Sequence, residues 1–185
     1  KLLKELAAIE DLQFIRILYC YPEEITPELI QVIKEEDKIC KYLDMPIQHA
    51  ADGVLKRMGR RTDNAQLRSI IGELRKEIPE ICLRTTLITG FPGETRKDFA
   101  ELKAFVKEMR FDRLGVFPYS PEEGTGAAKM KGQIPSFVKN MRRNTIMKMQ
   151  QAIAFEKASQ RIGKTVDVLV EGKLPEDGVF IGRTY

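Results

Sequence analysis

The sequence contains no tryptophan, one histidine and three cysteines in 185 residues. Cys20, Cys40 and Cys82 lie far apart, and no CxxC or CxxxCxxC is present, so local metal-ligand spacing is absent. An odd cysteine count without a disulfide framework excludes a stapled secreted scaffold and suits a reducing cytoplasm. Each cysteine borders an expected strand and reads as a small buried hydrophobe. No run approaches the roughly 20 apolar residues that cross a bilayer, and the start shows no signal-peptide pattern, so no membrane partner is expected. The chain opens inside a helical pattern, Lys1 to Leu6, without an initiator methionine. It stops at Tyr185 without terminal punctuation. Both ends look cut, and the expectation is a piece of a longer protein.

What remains is enough for one core: 43% of the residues are apolar. The net charge of +4 is unevenly spread. Residues 129–164 carry nine Lys or Arg against a single acid, Glu156. Such a stretch suits either a solvated helix face or an anionic partner such as RNA or a ribosome surface.

Hydrophobic patterning gives strands at Leu12–Tyr19, Cys40–Ile47, Leu83–Thr89 and Leu114–Tyr119, with helices between them. Strand and helix alternation implies parallel βαβ units in a barrel or open sheet. Pro135 opens a long helix to about Arg161, with Val138, Met141, Thr145, Met149 and Ile153 as its expected inner stripe. Thr165–Val170 then alternates, as the first strand of a small β unit would. The expected division is 1–134, 135–163 and 164–185.

Gly90-Phe91-Pro92-Gly93-Glu94 follows the third strand, and Thr95 and Asp98 have capping-box spacing for the next helix. Glycines free to take positive φ put bare backbone at the C-terminal end of a strand, where α/β proteins bind ligands. Gln48, in Pro46-Ile47-Gln48-His49, ends the second strand, and Arg60 lies just beyond. Gln48 can donate and accept, suiting a ribose hydroxyl or a carboxylate. Arg60 offers a planar fork for a carboxylate or phosphate. These residues are expected to converge with the Gly90 bend at one mouth. Each has a plainer role available: a loop cap for Gln48, a surface charge for Arg60, a structural loop residue for His49.

Tyr42 to His49, Val54 to Arg61, Leu83 to Thr95, Arg110 to Ser120 and Glu123-Gly124-Thr125 together resemble the radical-SAM methylthiotransferases. Pro-Ile-Gln-His and Met-Gly-Arg-Arg are similar to the RimO branch, which modifies an aspartate of a small-subunit ribosomal protein. The resemblance implies a partial parallel βα barrel, of which four strands are present, then a linking helix and the start of a TRAM-like β module. It also implies S-adenosylmethionine (SAM) and a 4Fe-4S cluster, which together yield a 5′-deoxyadenosyl radical. By the same resemblance Gln48 and Thr86 contact the SAM ribose, Arg60 its carboxylate, and Ile88, Gly90 and Phe117 border the adenine. The cluster-binding CxxxCxxC is missing, so this stretch alone is expected to assemble no cluster and to be inactive. Two other readings stay open: the tRNA-modifying MiaB-like branch, and a non-catalytic basic RNA- or ribosome-binding module. With strands absent, the first strand becomes a bare sheet edge, and a dimer through that edge is expected.

Overall fold

The computed structural model describes residues 1–184. Four strands, β1 (Ile15–Ile17), β2 (Ile39–Asp44), β3 (Cys82–Thr89) and β4 (Arg113–Pro118), form one sheet in sequence order with every neighbour parallel. The helices are α1 (Leu2–Ala7), α2 (Pro27–Glu35), α3 (Asp52–Arg57), α4 (Asn64–Glu77), α5 (Arg96–Met109) and α6 (Ser136–Ser159). Side-chain caps start three of them: Thr26 accepts from the Leu29 amide ahead of Pro27, and Asp63 and Thr95 each complete a reciprocal capping box.

Period-two alternation sorts the sheet's side chains onto two faces. Leu43, Leu83, Leu87, Leu114 and Val116 point to the helices and bury against Ile33, Leu67, Ile71, Leu74, Leu102, Phe105 and Ile146. Fully burying each such Leu is worth about 2 kcal/mol. The opposite face carries Tyr42, Asp44, Arg84, Thr86, Ile88, Arg113, Gly115 and Phe117. Register sets Asp44 beside Arg84, Arg84 beside Arg113, Thr86 beside Gly115 and Ile88 beside Phe117.

Three expectations change. The first strand is three residues rather than Leu12–Tyr19, though it does occupy the sheet edge. The inner stripe of α6 is Lys139, Arg142, Ile146, Gln150 and Ile153, while Met141 is exposed. Periodicity misjudged the phase because α6 carries apolar residues on both faces, Phe137 and Phe155 among the exposed ones. Long cationic stems also pack like hydrophobes. Lastly, the β unit begins later and holds two antiparallel strands, β5 (Leu169–Lys173) and β6 (Phe180–Arg183). Pro175-Glu176-Asp177-Gly178, with Gly178 at φ +77°, turns the chain between them.

Candidate cofactor site

After β2 the chain bulges away from β3 and returns to it at Gln48. The Gln48 amide donates to Thr86 O (3.0 Å), and Gln48 O accepts from the Ile88 amide (2.8 Å). Between these points Thr85 Oγ1 donates to Met45 O (2.8 Å) and accepts from the Ile47 amide. This clamp holds Gln48 at φ +70°, in the left-handed region, where a non-glycine residue is strained by about 1–3 kcal/mol. Its side-chain amide makes no hydrogen bond among the described residues, so the strained backbone presents a polar group with nothing to bind.

Arg60 faces the same opening. Its Nη2 donates to Pro46 O (2.8 Å), its guanidinium lies 4.9 Å from the Tyr21 ring centroid, and its Nε is buried without a partner. Gly59 beside it sits at φ +72° with no atom within 4 Å of where a Cβ would stand. Gln48, Arg60 and Ile88 line one cavity of about 450 Å³, completed by Phe91 and by Gly126, Ala127 and Met130 from the glycine-rich loop. That volume accommodates a small ligand. An unpaired amide and an unpaired guanidinium N–H fit one with a hydroxyl and an anionic tail, as SAM has.

The other expected residues divide. Thr86 and Phe117 are not in the cavity's lining but share the sheet face of Ile88: Phe117 is the register partner of Ile88 and is exposed, and Thr86 lies two residues before Ile88. Gly90 does not line the cavity either. A Cβ there would collide with Lys139 Cγ, and the Gly90 amide donates to Glu94 Oε2, so α6 seals the bend from behind. Gly90 shapes the turn while Ile88 supplies the surface.

Sequence reasoning missed what fixes this turn. Glu94 folds back beneath it: Oε2 accepts from the Gly90 and Phe91 amides, and Oε1 accepts from Arg142 Nη1 (2.8 Å). Burial raises the Glu94 carboxyl pKa, opposed by Arg142 and the two amides. Arg142 also donates to Glu94 O, and Lys139 Nζ donates to Tyr119 O (2.8 Å). Arg57 spans the outside of the turn, donating to Pro92 O and Gly93 O. The available signal was a glutamate directly after Gly-Phe-Pro-Gly, with two cations three apart on the long helix α6.

A 4Fe-4S cluster does not fit these residues. Cys20 packs in the main core, away from Cys40 and Cys82 beside Tyr42, and burial raises all three thiol pKa values. Among the described residues no group of three or more His, Cys, Asp or Glu could hold a metal ion.

A sequence profile of the radical SAM superfamily matches residues 1–106. All 185 residues align with a ribosomal protein uS12 methylthiotransferase RimO of Lachnoclostridium phytofermentans at 62% identity, covering 42% of that protein. The protein of that name in Alkaliphilus oremlandii is 52% identical, with the same coverage. The chain thus spans less than half the length of these curated relatives. Among solved structures, coproporphyrinogen III oxidase (HemN) of Escherichia coli, a radical SAM enzyme, matches with a TM-score of 0.56 at 24% identity. That match covers 77% of this chain and 32% of the oxidase, and it speaks to the fold alone.

Proposed function

This chain belongs to the radical SAM superfamily, and on that premise we propose that it forms the cofactor-facing part of a uS12 methylthiotransferase, adding a methylthio group to an aspartate. The reading is carried by the unpaired Gln48 amide and Arg60 Nε meeting at one cavity. The identity of the reaction draws on relatives 62% and 52% identical along the whole chain. Bound SAM, reduced by a 4Fe-4S cluster held by residues outside this stretch, would supply the radical chemistry.

These residues bind and orient. Arg60 Nε and Nη take the methionine carboxylate, Gln48 and Thr86 the ribose hydroxyls, and Ile88 and Phe117 the two sides of the adenine. Gly90, closed off behind, holds the bend that places Ile88. In the proposed division, 1–134 carries the cofactor, 135–163 links, and 164–185 begins the module that grips the ribosomal substrate. The setting is the cytoplasm, where ribosomes and reduced thiols coexist; among the described residues no helix is long and apolar enough to cross a membrane. The tRNA alternative gains nothing from the geometry. The RNA-binding module loses two of its cations, because Lys139 and Arg142 turn inward to hold the Gly90 turn.

Calorimetric titration of SAM into the complete protein tests the site. Arg60→Ala should weaken binding about tenfold or more, as expected for a hydrogen bond to a charged group, and Gln48→Ala severalfold. Wild-type affinity in both variants would remove the assignment. Mass spectrometry of uS12 and tRNA incubated with the reconstituted enzyme decides the substrate.

A further inference from the structure

We propose that Arg84 and Arg113, side by side on the sheet face turned away from the helices, receive the carboxylate of the aspartate to be modified; the assignment rests on the function proposed above. The two are register partners on β3 and β4, so their Cα atoms lie about 4.8 Å apart with both side chains on one face. Like charges set opposite one another in a ladder repel. Asp44, on the other flank, relieves only one of them: Arg84 Nη1 lies 3.3 Å from Asp44 Oδ2. Arg113 is exposed and makes no ion pair or hydrogen bond among the described residues.

Arg16 of β1, stacked 3.6 Å from the Tyr42 ring centroid, also acts on Asp44, so the row holds more cations than its one carboxylate can pair. It also holds a spare acceptor, since Asp44 is buried and its Oδ1 has no partner. An anion carrying its own N–H, such as an aspartate within a peptide, answers both needs.

Position agrees with chemistry. Arg84 lies two residues before Thr86 and four before Ile88 on the same face, about 6.6 and 13 Å along the strand. A guanidinium on its long stem covers the first of these distances. Gly115, directly above Arg113, adds no side chain, and a Cβ there would meet only the Phe117 ring at 3.7 Å. The wall between the arginines and the cofactor cavity is therefore open. An aspartate has one side-chain carbon bearing hydrogen, its β-methylene, bonded directly to the carboxylate. A fork that fixes the carboxylate fixes the reacting carbon one bond away and rejects asparagine, which lacks the charge.

The test is fluorescence anisotropy of a labelled uS12 peptide, carrying either the target aspartate or asparagine in its place, titrated with the complete protein. Wild type should prefer the aspartate peptide by about 10- to 100-fold, the range for hydrogen bonds to a charged group. Arg113→Gln should bring the two peptides to within about twofold, with SAM affinity unchanged and the melting temperature no lower, since one of two repelling charges is gone, and Arg113→Lys should restore part of the preference. A preference that survives in both Arg113→Gln and Arg84→Gln overturns the assignment. So does an Arg113→Gln protein that loses stability and keeps its preference. If wild type modifies uS12 while the variants discriminate normally, only the arginines are misassigned. If wild type neither binds the peptide nor modifies uS12, the proposed function falls and this inference with it.

Discussion

Acidification probes the buried imidazole of His49, which neighbours the strained Gln48. The ring is fully buried; its Nδ1 accepts from the Ala51 amide at 3.0 Å, so its single proton sits on Nε2, 3.8 Å from Glu94 Oε2. Burial pushes the pKa from 6.5 down to about 4; Asp98 opposes the fall, and Arg57 and Arg142 add to it. The folded value lies below the unfolded one, so the unfolded chain binds more protons between them. Stability from the neutral ring is complete above the unfolded pKa and is lost as pH falls toward the folded one. Linkage puts the loss at about 2 kcal/mol by pH 5 and about 3 kcal/mol by pH 4. Urea unfolding of wild type and His49→Gln, side by side from about pH 7.5 to pH 5, isolates the ring, because carboxylates common to both proteins cancel in the difference. Wild type should lose about 2 kcal/mol more than the variant across this range. Parallel stability curves would mean that the ring titrates as it does in water, and the sealed environment assigned to it would be wrong.

Gly90→Ala should destabilise the fold by roughly 2–4 kcal/mol, combining the cost of positive φ with overpacking against the stem of Lys139. Adding Lys139→Ala should recover the packing share alone; chemical denaturation reads both, and full recovery would contradict the backbone argument. At the sheet edge, Phe14, Leu18 and Tyr19 are exposed around β1. This stretch expressed alone should pair through that edge, and Leu18→Lys should shift it toward monomer in light scattering; a wild-type monomer at high concentration would count against it.

Much of the architecture was legible because parallel strands buried by helices leave short apolar runs, and the turns between them carry Pro, Gly and capping residues. Gln48 and Arg60 were readable because each ends or follows a strand at one rim, whereas Ile88 came only through the family resemblance. Glu94, Arg142 and Lys139 were not, since their partners lie across the sequence: a glutamate after a turn and a cation on a helix both pass for solvated charge. The same ambiguity displaced the buried stripe of α6. Nothing in its spacing tells that Lys139 and Arg142 go in while Met141 stays out. The hairpin after β5 had its signal in Pro175 to Gly178, which the alternating valines overshadowed.

Position 48 sets two demands on one residue. A left-handed backbone is served best by glycine, which would relax there and leave the cavity without its amide. Variants enriched only for heat resistance should therefore drift toward glycine or asparagine at this site, while those enriched for cofactor capture keep the longer side chain in spite of its discomfort.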